Sequence, residues 1–171
     1  YQGAETLYKR ALSINEKHLG KEHPEVAYNL NNLASVYQNQ SKYTEAEPLY
    51  KRALSINEKH FGKEDTSVAD SLNGLASLYT KQAKYSEAEP LFKRALSINE
   101  KYFGPEHPSV ALTLSNLATL YDKQEKYAEA VQLFKRALAI NQKLFGKEHS
   151  RDGGNLQNLA IVLWTQAKYA E

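Results

Sequence analysis

Asparagine and hydroxyl side chains recur at a fixed distance along this 171-residue chain. Asn31 and Asn73 lie 42 residues apart, Asn32, Asn116 and Asn158 share one 42-residue register, and Ser35, Ser77 and Thr119 share another. Asn39, Lys81 and Lys123 fall in a fourth. A primary amide carries donor and acceptor together, so asparagines set at regular steps can bond both the N–H and the C=O of an extended peptide. That is a chemistry of recognition rather than of bond making. A plainer assignment competes, since an asparagine on a helix also serves as solvated surface or braces the neighbouring helix. Histidines are the next candidates. His23, His107 and His149 share a register whose remaining member is Asp65; one such residue per 42 does not converge on a metal, and the position suits the start of a helix. His18 and His60 give way to Tyr102 and Leu144 in their register, which argues for packing or exposure rather than ligation. No glycine-rich phosphate loop, Gly-x-Ser-x-Gly or His-Glu-x-x-His occurs, and no cysteine offers a thiolate. These residues predict a chain that is not an enzyme and has no metal or cofactor site.

The elements that would position these side chains are themselves repeated. KRALSINEK stands at 9–17, 51–59 and 93–101 and returns as KRALAINQK at 135–143, and Gly20, Gly62, Gly104 and Gly146 keep the same step. Self-similarity at such a period marks an array whose units bury their apolar faces against their neighbours. Within one unit, Val26, Leu30, Leu33, Ala34 and Tyr37 trace one face of a helix, and Pro24 suits its first position, which predicts helix A over 24–39. Ala46, Leu49, Tyr50, Ala53, Leu54 and Ile56 predict helix B over 44–61, ended by Gly62 in a left-handed conformation. Thr44 with Glu47, and Ser86 with Glu89, have the spacing of a capping box, although Pro48 and Pro90 then sit just past the cap. Tyr37, Tyr79 and Tyr121 read as core, and Lys51 with Arg52 as a solvated outer face. The same pattern gives a helix B at 3–19 and a last helix A at 155–167, whose late start is expected from Gly153 and Gly154 at about 1 kcal/mol each relative to alanine. Short links force the pairs antiparallel.

Composition narrows the function classes. The formal charge of +2 is spread along every unit, so nothing argues for a nucleic-acid partner, and no apolar run is long enough for a membrane span. The absence of cysteine suits an intracellular, cytoplasmic chain. With no methionine even at position 1, and with both ends inside the repeat, the sequence reads as a piece of a longer protein.

The pattern L-x-x-L-A-x-x-Y, then K-Y-x-E-A, then L-Y-K-R-A-L resembles the tetratricopeptide repeat, and the longer 42-residue unit with L-N-N-L-A and L-G-K-x-H-P is similar to that of kinesin light chains and their prokaryotic relatives. The resemblance implies an all-α, right-handed solenoid of antiparallel helix pairs with about eight helices. It would run as a truncated repeat at 1–21, repeats at 22–63, 64–105 and 106–147, and a partial, degraded repeat at 148–171. It also implies a concave groove lined by helix A. At about 100° per residue, the row opposite the apolar stripe is Tyr28, Asn32, Ser35 and Asn39, flanked by Asn31 and Gln38. Asp70, Gly74, Ser77 and Lys81, flanked by Asn73, follow it, then Leu112, Asn116, Thr119 and Lys123, then Gly154, Asn158 and Ile161. Helix A asparagines of kinesin light chains are implicated in cargo binding, which carries over to Asn31 and Asn73 but not to Ser115 and Gln157. A carboxylate clamp is not implied, because Ser35, Ser77, Thr119 and Ile161 occupy its asparagine position. The acidic cargo preference is not carried over either, since Lys81 and Lys123 face Asp70 and Asp122. The expected function is capture of a protein or peptide in the groove. The alternative is a scaffold that self-associates head to tail through the faces around Leu7, Ala11 and Leu12 and around Leu159, Ala160 and Leu163.

Overall fold

A computed structural model describes residues 2–146 and 150–170. The described residues form α1 (Gln2–Leu19), α2 (Pro24–Asn39), α3 (Tyr43–Phe61), α4 (Thr66–Lys81), α5 (Tyr85–Phe103), α6 (Pro108–Lys123), α7 (Tyr127–Phe145) and α8 (Ser150–Ala170), with no strand among them. They divide into two compact units, Tyr1–Lys84 with α1 to α4 and Tyr85–Glu171 with α5 to α8. Within each, consecutive helices pack, and α2 also meets α4 as α6 meets α8.

The starts of the even-numbered helices follow from local chemistry. His23 Nδ1 accepts from the Glu25 N–H at 3.2 Å and His107 Nδ1 from the Ser109 N–H at 3.2 Å, each just ahead of a proline at the first helical position. Asp65 does the same for α4, its Oδ1 accepting from the Ser67 N–H at 2.8 Å. The helix-starting role expected of this register therefore holds at His23 and His107, while His149 lies outside the described residues. After α2, Ser41 takes φ 59°, the Ser41 N–H bonds the Gln38 carbonyl and the Lys42 N–H bonds the Tyr37 carbonyl. Ala83 (φ 58°) and Glu125 (φ 62°) repeat this left-handed closure without a glycine. The odd helices end differently. Gly62 has φ 87° and ψ 164°, a positive-φ but extended conformation that is essentially restricted to glycine, rather than the left-handed helical one.

Two sequence expectations are corrected here. Thr44 and Ser86 do not cap, because α3 begins at Tyr43, with Lys42 as its N-cap and no side-chain capping bond, and α5 begins at Tyr85. The glutamates have other partners: Glu47 Oε1 accepts from Lys51 at 2.7 Å and from the Tyr79 hydroxyl at 3.1 Å, and Glu89 Oε1 accepts from the Tyr121 hydroxyl at 3.0 Å and pairs with Lys93. Pro48 then lies inside α3; it has no N–H to return to the Thr44 carbonyl, but Thr44 is exposed and water can take that oxygen. The last helix does not start late, since α8 is helical from Ser150 through Gly153 and Gly154. Its packed residues Asn155 and Val162, 8 % and 1 % exposed, outweigh the weak propensity of its first turn.

The first unit's core is built from Val26, Ala27, Leu30, Ala53 and Ile56, with Leu12 and Leu49 against it. The second repeats it with Val110, Ala111, Leu114, Ala137 and Ile140, and there Ala118, Ala130, Val131, Phe134 and Val162 form a further cluster. Each fully buried leucine or isoleucine contributes about 1.5–3 kcal/mol, and the fully buried alanines let the helices approach closely.

Candidate functional site

The asparagine of the last three copies of the KRALSINEK segment is the first determinant of the site, and pattern reading passes it over. Asn57, Asn99 and Asn141 are 4 %, 2 % and 6 % exposed. Asn57 Nδ2 donates to the Ser67 carbonyl at 3.0 Å and to Ser71 Oγ at 3.1 Å, so α3 is pinned to the start of α4. Asn99 Nδ2 likewise donates to Thr113 Oγ1 at 3.2 Å, between α5 and α6. The available signal was an amide recurring beside an isoleucine on the apolar face, at Ile56–Asn57, Ile98–Asn99 and Ile140–Asn141.

Around Ser71 the geometry of Asn31 follows by elimination. The Ser71 hydroxyl donates its proton to the Ser67 carbonyl at 3.2 Å, so it can only accept from its other neighbours. Asn31 must present its amide nitrogen, and Nδ2 donates to Ser71 Oγ at 2.9 Å. Asn31 Oδ1 consequently faces the other way, is buried, and is reached by no protein donor among the described residues. Beside it opens a recess of about 280 Å³, lined by Glu25, Tyr28, Phe61 and Asp70 together with Pro24, Asn31, Asn57 and Ser67. Tyr28 and Phe61 are 64 % and 46 % exposed. The surrounding protein pushes the Asp70 carboxyl above its ordinary value, and the Asp65 carboxylate adds to the effect.

Further along α2, Gln38 is buried at 7 % rather than flanking an open surface. It accepts from the Tyr50 hydroxyl at 3.1 Å through Oε1 and donates to Ser77 Oγ at 3.0 Å. Burial pushes the Tyr50 phenol up to about 12. The Tyr50 ring occupies the space in which a Cβ on Gly74 would stand, 2.4 Å from Cε1.

The residues expected to bind are therefore distributed unevenly. In the first unit Ser35, Asn39 and Lys81 are exposed, Asn31, Asn32, Asn73 and Ser77 are half-buried, and Asn31 and Ser77 are engaged between α2 and α4. In the second unit Lys123 and Asn158 are exposed and Asn116 and Thr119 half-buried; Thr119 Oγ1 donates to the Ser115 carbonyl at 2.9 Å. A second recess opens there, in the same register two repeats on, lined by Pro108, Ser109, Leu112, Ser115, Asn141 and Asn155 and carrying no ionisable side chain among the described residues. Its Ser115 Oγ lies 2.8 Å from Asn155 Oδ1 and 2.9 Å from the Ala111 carbonyl, and its one proton serves one of these two acceptors. Among the described residues, no group of three His, Cys, Asp or Glu side chains is placed to hold a metal ion, and no helix is long and apolar enough to cross a membrane.

Helix pairs closed by a left-handed turn, pinned by buried amides and stacked on small residues define an all-α helical-repeat protein. The chain belongs to the tetratricopeptide repeat family, whose sequence model matches residues 1–59 and 67–143, and its repeats are kinesin-light-chain-like. BtubC (BKLC) from P. vanneervenii superposes with a TM-score of 0.82 at 27% identity, over 99% of this chain and 67% of that one. The nearly identical TPR-like repeats of a putative kinesin light chain from Podosopora anserina give 0.76 at 28% identity, over 98% and 79%. The N-terminal domain of stress-induced protein-1 from C. elegans, at 16% identity and a TM-score of 0.56 over 81% and 95%, shares the fold alone. No curated protein matches the chain in sequence.

Proposed function

We propose that this chain is a non-catalytic interaction module that captures a peptide or partner helix on the surface presented by its helices A. The family's general role in protein–protein interaction and scaffolding supports the class of function. The observation that carries the finer reading is the recess between α2 and α4, where the exposed aromatic side chains Tyr28 and Phe61 stand beside polar and acidic side chains. A surface of this kind suits a polypeptide ligand, which brings side chains to bury and polar groups to pair. The test is capture of partners by the chain and by Asn31→Ala with Asn73→Ala, with circular dichroism as the control for folding. The expected result is a helical, monodisperse variant that loses its partners; a folded variant with undiminished capture overturns the reading.

A second reading, assembly through open helix faces, is favoured by one specific set of exposures. Leu30, Leu72 and Leu114 are fully buried, whereas Leu156 in the same register is 46 % exposed, and Leu163 on the same helix is 43 % exposed. On α1, Leu7 and Ile14 are 67 % and 48 % exposed where Ile56 and Ile98, in the register of Ile14, are 1 %. Leu12 and Leu159 are packed inside their own units and do not contribute to such a face. Head-to-tail contacts of this kind are heterologous and need not close. Sedimentation velocity across a concentration series should then show association that Leu163→Glu abolishes, and a monomer at every concentration sinks the idea.

A further inference from the structure

We propose that the recess of the first unit binds the guanidinium of an arginine side chain on a partner polypeptide. The proposal rests on the interaction-module reading and names the residue that the module grips. Three properties of the recess converge on it. Its size, about 280 Å³, lies below the roughly 300–1,000 Å³ of small-molecule sites and suits a single side chain. Its ionisable lining is of one sign, with Glu25 from α2 and Asp70 from α4, and no lysine or arginine lines it. Tyr28 and Phe61 stand exposed at its edge, offering aromatic faces to a flat cation.

A guanidinium answers all three together. It is planar, carries five N–H donors and no acceptor, and is permanently charged, so it can stack on an aromatic ring while donating to carboxylates. An ammonium meets the charge but does not stack as a flat group, and a carboxylate or phosphate is repelled by the lining. The second unit is the internal control. Its recess is in the same register, but Leu112 and Ser115 replace Tyr28 and Asn31, no carboxylate lines it among the described residues, and its serine hydroxyl is bonded internally.

The test is a nuclear magnetic resonance titration of the isotope-labelled 171-residue chain. The probes are a capped glycine–alanine heptapeptide with one central arginine and its lysine and citrulline versions. The arginine peptide should shift the Asn31 side-chain amide and the Tyr28 and Asp70 backbone signals, and leave those of Leu112 and Ser115 in place. Citrulline, which keeps the shape and loses the charge, should bind at least about tenfold more weakly, and lysine about threefold more weakly. Glu25→Gln and Asp70→Asn, at exposed positions, should each reduce arginine affinity about threefold or more while leaving the helical spectrum intact. Equal binding of arginine and citrulline, equal binding of arginine and lysine, or shifts confined to α6 and α8 would each overturn the proposal. The two readings fail separately. A partner lost with Asn31→Ala and Asn73→Ala but indifferent to Glu25→Gln and Asp70→Asn removes the arginine site and keeps the module. Arginine binding in a chain whose partners ignore the asparagine variant does the reverse.

Discussion

In the first unit a recess beside Asn31 is walled by Tyr28 and Phe61 and carries two carboxylates; at the equivalent place in the second, Leu112 and Ser115 stand instead of Tyr28 and Asn31, and Ser115 bonds Asn155. Yet Asn57 and Asn141 are buried alike behind both. The repeat thus divides its residues into those that hold one helix pair to the next, which scarcely change, and those on the open side, which change freely. A second contrast concerns packing. Tyr50 donates to Gln38 and leans over Gly74, whereas Phe92 and Phe134 take its register in the second unit, and Asn116 and Asn158 take that of Gly74. Tyr8 and Asn32 hold the same two registers one repeat earlier, so the glycine accompanies the Tyr50–Gln38 bond rather than the tyrosine alone.

The most severe way to break this contrast is Gly74→Asn, which installs the second unit's residue against Tyr50. With a Cβ 2.4 Å from the ring, the variant should lose about 2 kcal/mol, a fall of roughly 4–8 °C in thermal unfolding. The reverse change, Asn116→Gly, should cost only the helix propensity of about 0.5 kcal/mol. Equal losses would show that the two registers are packed alike. Smaller is the alkaline limb of stability. The unfolded phenol releases its proton near 10.0 and the folded Tyr50 holds it to about 12, so the folded state retains the proton longer and stability falls as pH rises through that window. Tyr121 is shifted in the same direction, so the comparison is chemical denaturation of the chain against Tyr50→Phe, which should flatten the limb in part. Smallest are the turn changes. Ala83→Gly in the first unit and Glu125→Gly in the second relieve the same left-handed strain and should each add about 0.5–1 kcal/mol; a gain confined to one would show that the two closures differ.

Helix A was legible to the residue at Pro24–Asn39, because proline and a capping side chain mark its start and a stripe of leucine and alanine marks its length. Helix B was legible in extent but not in its cap. The Thr-x-x-Glu spacing is a local signal, and it yields to Lys51, Tyr79 and Lys84, which hold Glu47 from outside that first turn. Gly153 and Gly154 misled for a related reason, since propensity is weak against packing that reaches Asn155 and Val162. The site was legible only as a row of polar residues. That Gln38 turns inward, and that Asn31 has one end engaged and the other free, depends on Tyr50, Ser71 and Ser77 brought in from helices 12 to 40 residues away. The last unit confirms how such groups travel together: where Glu47 pairs with Tyr79 and Glu89 with Tyr121, the corresponding positions hold Val131 and Leu163, so both polar partners are gone at once.

The near-identity of the buried amide pins has a consequence for how the chain reaches its fold. A helix carrying KRALSINEK fits the start of α4 through Ser71 and would fit the start of α6 through Thr113 almost as well, so the contacts themselves scarcely distinguish the correct neighbour from one a full period away. Connectivity makes the choice. The closures at Ser41, Ala83 and Glu125 and the short glycine links bring sequence neighbours together first, before a distant copy can compete. A lengthened link would weaken that advantage, and the expected error is a chain that skips one whole period, with every local contact correct and the order wrong.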